Sequence, residues 1–340
     1  MFRTLVVAAM LAILTAGTAT AQTIPPDYFR GKTINIVAGA GSGDGYDIYS
    51  RLLAQYMGRH IPGNPRFVVQ NMPGAGTLRA TNFIWEVAAK DGTTFGSVGG
   101  GTATAGLLDA KNARFDARRF GWIGSMNSEV GLVLSWGPTP FKTIQDVMKQ
   151  EFIVGGGGPT SGNVVFPIVL NQVVGTRFKV IGGYKGTGDI ALAVERGELH
   201  GTASYHYSSI IGRNPDWLTR KQVNVLLQLS LRKHPLFPDV PLPVDLAQND
   251  EQRAILELVF ARQEMGRPYM LPPDTPPAIA EILRRAFDAT MRDAAFLKEA
   301  ETMGFEVSPQ PGEAIAALVA AALATPEAIV RKAERAATPD

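Results

Sequence analysis

Thr33-Ile34-Asn35-Ile36-Val37-Ala38-Gly39-Ala40-Gly41-Ser42-Gly43-Asp44-Gly45-Tyr46-Asp47 runs from a β-branched apolar segment through a glycine-dense turn into a helical pattern. Thr33 to Val37 reads as a strand. From about Asp47 to Arg59, Ile48, Tyr49, Leu52, Leu53, Tyr56 and Met57 recur at helical spacing on one face, with Asp47, Arg51 and Arg59 elsewhere. Glycines let the turn tighten and let a ligand approach backbone N–H groups, and a helix start adds unpaired donors and a positive dipole end. Such a unit suits an anion. It fails as a dinucleotide fingerprint, because the third glycine position holds Asp44 when counted from Gly39 and Tyr46 when counted from Gly41.

The strand-to-helix alternation continues outward. Phe67 to Gln70, Thr94 to Val98, Val130 to Ser135, Phe152 to Gly155, Phe178 to Ile181 and Val223 to Leu229 read as strands, and Pro276 to Met291 as a helix with Ile279, Ile282, Leu283, Phe287 and Met291 on one face. This pattern predicts an α/β fold with largely parallel sheets. A second glycine loop, Gly155 to Asn163, also follows a strand and leads into an apolar helical pattern, where Thr160 or Ser161 is placed to cap. Asn71 to Thr77 and Gly99 to Thr102 follow further strands, and Tyr184-Lys185-Gly186 lies beyond the next one. Glycine-rich ends of neighbouring parallel strands converge on one crevice, where open α/β sheets take their ligands.

At 340 residues the chain is long enough for two domains. Its 33 basic against 31 acidic side chains, scattered singly, argue against nucleic acid or a polyanionic surface as partner. The absence of cysteine removes disulfides, thiolate nucleophiles, iron–sulfur clusters and Cys-based zinc sites. At the N-terminus, Arg3 precedes the apolar run Leu5 to Ala16, and Ala19-Thr20-Ala21 offers small residues before Gln22. This is the pattern of a secretory signal peptide over residues 1–21, cut after Ala21. The run is shorter than the ~20 apolar residues of a spanning helix, and the Ala-rich stretch Ala314 to Ala324 is bounded by Glu313 and Pro326.

Catalytic patterns are missing: there is no Gly-x-Ser-x-Gly elbow, no His-Glu-x-x-His and no phosphate-loop lysine motif. His60, His200, His206 and His234 form no metal-ligand spacing, so surface or core roles are expected of each, with no metal and no cofactor. Trp85, Trp122, Trp136 and Trp217 read as packing residues.

Gly43-x-x-x-Asp47-x-x-x-Arg51, Asn71-Met72-Pro73-Gly74-Ala75-Gly76, Asp91-Gly92-Thr93, Tyr184-Lys185-Gly186, Gly197-Glu198-Leu199, Pro238-Asp239-Val240-Pro241 and Pro272-Pro273-Asp274-Thr275-Pro276 follow one another in an order and spacing that resemble the Bug-type periplasmic solute receptors of tripartite tricarboxylate transporters. The resemblance spans nearly the whole mature chain. It implies a two-lobed, type II periplasmic-binding-protein (Venus-flytrap) fold, with residues 22–128 and 257–340 in the first lobe and 129–256 in the second. It implies a periplasmic, non-enzymatic, monomeric receptor that closes on a small carboxylated solute and passes it to membrane permease subunits. The first-lobe contacts it implies are Ser42, Gly43, Asp44, Gly45 and Tyr46, with Gly76, Thr77, Gly101 and Thr102. Those of the second lobe are Thr160, Ser161, Gly162, Asn163, Tyr184 and Tyr205. Where relatives carry Pro, a loop glycine and Asp, this chain has Gly39, Asp44 and His200, and Thr202-Ala203-Ser204-Tyr205 replaces a stretch that usually holds Phe-Asp. A sensor feeding a membrane signalling partner would read the same way, and an exported hydrolase would need a nucleophile and base that the sequence does not offer.

Overall fold

The computed structural model describes residues 24–108, 111–157, 161–184 and 186–338. The signal-peptide reading, Lys185 and the expected contact Thr160 therefore lie outside the described residues. Strand β1 (Thr33–Ala38) leads through the glycine turn into helix α1 (Gly45–Tyr56). There follow β2 (Arg66–Asn71), α2 (Leu78–Glu86), β3 (Thr94–Ser97), α3 (Thr102–Leu108) and β4 (Gly121–Ser125). The chain then builds a second set of elements: β5 (Gly131–Trp136), α4 (Ile144–Lys149), β6 (Phe152–Gly155), α5 (Gly162–Val174), β7 (Phe178–Ile181) and α6 (Thr187–Glu195). That set continues with β8 (Gly201–His206), α7 (Tyr207–Arg213), α8 (Asp216–Thr219), β9 (Val223–Leu229) and α9 (Asp250–Phe260). The last elements are β10 (Pro268–Leu271), α10 (Pro277–Thr290), α11 (Ala294–Thr302), β11 (Gln310–Pro311), α12 (Gly312–Leu323) and α13 (Glu327–Ala337).

Two sheets result, ordered β11-β4-β10-β3-β1-β2 and β7-β6-β8-β5-β9. Each is apolar on both faces and is covered on both. In the first lobe, Tyr49, Leu53, Leu283, Phe287 and Phe296 pack on one face, and Ile84, Ala103, Trp122, Ile315 and Val319 on the other. In the second, Phe166, Leu170, Leu256 and Phe260 pack opposite Ile190, Val194, Ile210 and Trp217.

The sheets are mixed, which corrects the expectation of largely parallel ones. β1 pairs parallel with β2 and β3, and β6 with β7 and β8. β10 and β11 run antiparallel to their neighbours, as β5 does to β8 and β9. β5 and β10 each follow a crossing, where the chain enters a sheet from the other lobe rather than through a helix on its own face.

Two crossings run side by side. Met126 N–H donates to Arg267 O at 3.1 Å, Gly266 N–H to Asn127 O at 3.0 Å and Glu129 N–H to Gln263 O at 2.9 Å, so the segments are tied into one two-stranded hinge. A third crossing is the 91° bend between α12 and α13. It modifies the expected division of the chain. Residues 257–260 complete α9 inside the second lobe, and Val330, Ala333 and Ala336 of α13 are buried in the core shared with α5 and α9. Only about 261–324 returns to the first lobe. Among the described residues no single helix is long and apolar enough to cross a membrane.

Candidate functional site

The first glycine loop is held from beneath by Asp47, which is 1% exposed. Its carboxylate accepts Gly43 N–H at 2.8 Å, Asn71 Nδ2 at 2.9 Å and Arg51 Nη2 at 2.8 Å, while Arg51 also donates to Asn71 Oδ1 at 3.2 Å. Burial penalises the ionised Asp47, but the hydrogen bonds from Arg51, Gly43 and Asn71 outweigh it and hold the carboxyl below its ordinary range. The Gly43, Asp47, Arg51 and Asn71 pattern in the sequence is thus a loop brace. Asp44 caps α1, its Oδ1 accepting Gly45 N–H at 2.5 Å. Two loop amides are therefore consumed by the loop's own side chains.

Between the lobes lies an open cleft of about 840 Å³. Gly41 to Gly45, Tyr49 and Phe305 line it from the first lobe, and Gly186 to Asp189, Ser208 and Arg213 from the second. At the hinge, Arg267 also borders a smaller pocket of about 60 Å³. Tyr46, Gly100, Gly162, Phe166, His206 and Arg262 form most of its wall, together with Glu129, Gln263, Met265 and Gly266. The starts of α1 and α5 thus meet at its mouth.

Its electrostatics are set by a buried pair. Glu129 and Arg267, 3% and 6% exposed in their side chains, form a 3.0 Å ion pair, and Ser208 Oγ lies 3.1 and 3.0 Å from the two Glu129 oxygens. The Arg267 guanidinium also lies 4.9 and 5.0 Å from the ring centres of Tyr46 and Tyr49, within cation–π range. Burial raises the Tyr46 phenol against the opposing pull of Arg267 and Arg262, so it stays a neutral donor at physiological pH. Burial also lowers the His206 imidazole, with Glu129 opposing, which keeps it neutral. His206 Nδ1 and Arg267 Nε are buried without a hydrogen-bond partner among the described residues. Among the described residues no group of His, Asp and Glu side chains is gathered as a metal would require.

The expected contacts divide. Ser42, Gly43, Asp44 and Gly45 line the open cleft, and Tyr46 and Gly162 the hinge pocket. Gly101 abuts the Arg262 guanidinium; a methyl there would stand 2.8 Å from Nη2. Gly76 (φ 59°) and Thr77 (φ 81°) instead shape a turn, with Thr77 Oγ1 accepting Gly99 N–H at 3.0 Å. Thr102 is buried beside Thr81. Ser161 Oγ donates to Asn163 Oδ1 at 2.5 Å and Gly157 N–H reaches the same oxygen at 3.1 Å, so both residues brace the second loop. Tyr184 packs at the edge of the second lobe's core and lines neither cavity.

Tyr205 is a correction. It is fully buried, its hydroxyl donates to Asn214 Oδ1 at 2.7 Å, and its ring meets Trp217 edge-on at 5.7 Å. Side chains alternate along β8, so turning Tyr205 into the core sends the next residue, His206, to the pocket. His206 was expected to have a surface or core role, and it lines the pocket instead. Sequence reading also missed Arg262, Arg267 and Glu129. The only signal was the division of the lobes at 128/129 and 256/257, where a ligand clamped between lobes must touch the hinge.

Two α/β lobes closing on a hinge of crossing segments make the class a two-lobed periplasmic-binding-protein fold. The chain shares that fold with a TctC solute-binding protein from Polaromonas (TM-score 0.65, 18% identity, covering 89% of this chain and 99% of that one). It likewise superposes on the periplasmic binding protein BugD (TM-score 0.66, 20% identity, 90% and 98% covered) and on malate-bound MatC from Rhodopseudomonas palustris (TM-score 0.63, 20% identity, 91% and 100% covered). No family model matches the chain, and no curated protein sequence does.

Proposed function

We propose that the protein is a Bug-type solute receptor of a tripartite tricarboxylate transporter, closing its lobes on one small carboxylated solute and delivering it to membrane permease subunits. Export fits this role, with the signal peptide removed after Ala21 and a monomeric receptor released to the periplasm. The observation that carries the reading is the hinge pocket, which shares Arg267 with the interlobe cleft and is walled by elements of both lobes and by two arginines against one glutamate. The match of fold along nine-tenths of the chain to receptors of this kind, one holding malate, supports it. Ser42, Asp44, Gly45 and Tyr46 from the first lobe and Gly162 from the second are the expected contacts that this reading retains. On this reading the protein binds its solute without turning it over, as a solute-binding protein of the shared fold does.

A thermal-shift screen of mono-, di- and aromatic carboxylates tests the proposal. A solute bound only by the folded state raises stability by about 3 kcal/mol at a hundred-fold excess over its Kd. X-ray scattering at saturation is expected to show a smaller radius of gyration, because a solute held by both lobes favours the closed form. A screen in which no carboxylate shifts the transition, or saturation without compaction, overturns it.

A further inference from the structure

The glycine turn after β1 reads as an anion site built on backbone N–H groups, yet two of its amides are already taken. Gly43 N–H is bound to Asp47 and Gly45 N–H to Asp44. The Asp44 carboxylate itself stands exposed on the cleft wall. A fixed negative charge there repels an incoming anion.

The hinge pocket has the opposite character. Glu129 is paired, with Arg267 on one oxygen and Ser208 within hydrogen-bond reach of both. Arg262 is different: it faces the same pocket, and among the described residues no carboxylate lies within 4 Å of it. Its guanidinium rests 5.5 Å from the Phe166 ring centre and against Gly101, contacts that position it without neutralising it. Glycines keep this cation reachable. A Cβ at Gly100 would fall 2.1 Å from Arg262 O, and one at Gly101 2.8 Å from Nη2. With His206 neutral, Arg262, Arg267 and Glu129 leave the pocket with a single positive charge.

We infer that Arg262 is the anchor for the solute's carboxylate, which enters the hinge pocket head first while the rest of the solute lies in the outer cleft. This inference rests on the carboxylate-receptor reading and deepens it. The pocket volume of about 60 Å³ leaves room for a small head group and not for a whole solute, which by common pocket sizes needs several hundred Å³. A guanidinium matches that planar head with two parallel N–H donors, and a half-buried cation without a counter-charge gains from the arrival of such a head. The Tyr46 phenol and the unpartnered Nε–H of Arg267 supply further donors at the same wall. The class of solute selected is a carboxylate with one unsubstituted, monoanionic carboxyl end.

Calorimetric titration of the purified protein with succinate, malate, adipate and acetamide decides the matter. Wild type is expected to bind at least one of the acids and not acetamide. Arg262→Gln should weaken that acid thirty-fold or more, and Arg262→Lys, which keeps charge but loses the paired donors, by roughly three- to ten-fold. Gly101→Ala, whose methyl would push the Arg262 guanidinium aside, should weaken it too while leaving the chemistry of every pocket side chain unchanged. If Arg262→Gln binds the acid within three-fold of wild type, the anchor is elsewhere and the receptor reading survives. If wild type binds none of the acids, both fall. If Arg262→Gln does not fold, as judged by its thermal transition, unchanged affinity in both Arg262→Lys and Gly101→Ala overturns the anchor.

Discussion

Asp47 shows how one buried side chain fixes a functional loop. Its carboxylate receives Gly43, Asn71 and Arg51, so Asp47→Asn replaces a charged acceptor with an amide that must turn a donor toward one of those donors. The expected loss is about 2 kcal/mol, the scale of a charge-assisted hydrogen bond. Because the folded-state carboxyl titrates below its ordinary value of 3.8, the stabilisation is complete above that value and is lost as pH falls through the folded one. Urea unfolding of wild type and variant should therefore differ at pH 7 and converge as pH drops below about 4; a gap that persists at low pH contradicts the assignment. Asp44 is a cap with its charge on the cleft wall, two roles that substitution separates. Asp44→Asn keeps a good N-cap and should hold stability within ~0.5 kcal/mol, whereas Asp44→Ala should lose about 1 kcal/mol. Removing the charge should tighten succinate, by less than ten-fold because the group is exposed and screened. Unchanged succinate affinity in Asp44→Asn would leave capping as the whole of its role.

Among the elements, α13 carries the clearest expectation. Its buried stripe of Val330, Ala333 and Ala336 sits on α5 and α9, and Ala333 is wholly buried. Ala333→Leu adds volume to a filled interface and should cost about 1–3 kcal/mol, while Arg331→Ala, which breaks only a surface pair with Glu327, should cost under ~0.5 kcal/mol. Equal effects of the two would mean that α13 is not packed on the second lobe. That docking was not legible in the sequence, because Ala-rich amphipathic helices name no partner. The strands with plain β-branched or aromatic runs, such as Phe152–Gly155 and Phe178–Ile181, were legible to the residue, since their periodicity is local. Gly121–Ser125, Gly201–His206 and Pro268–Leu271 were not. Their glycines, small polar residues and Pro268 depress strand propensity, and only pairing with neighbours makes them strands. The same locality governs the site: its glycine loops could be read from adjacent residues, but its arginines belong to a crossing segment whose pocket neighbours, from Tyr46 to His206, are distant in the chain.

At the scale of the whole molecule, the hinge and the pocket are one structure, and this predicts a coupling between stability and ligand charge. Glu129 stands on one crossing segment and Arg267 on the other, Ser208 from the second lobe meets Glu129, and the Tyr46 and Tyr49 rings from the first lobe meet Arg267. Glu129→Gln keeps the shape of this chain of contacts but leaves Arg267 buried and unpaired. Breaking a buried pair from one side costs about 3–5 kcal/mol, mostly for the stranded charge, so the apparent Tm should fall by several degrees. The stranded charge also has a remedy that a mere packing defect lacks. An anion in the hinge pocket borders both Arg262 and Arg267, so acetate should restore part of the lost stability in Glu129→Gln and raise wild type by less. Acetamide, of the same shape and neutral, should do neither. Adding Arg267→Gln removes the stranded charge, and the double variant should then be more stable than Glu129→Gln alone and lose its extra response to acetate. Glu129→Gln melting like wild type, or responding equally to acetate and acetamide, would mean that the hinge pair is insulated from the pocket, and the single positive charge assigned to that pocket would then be wrong.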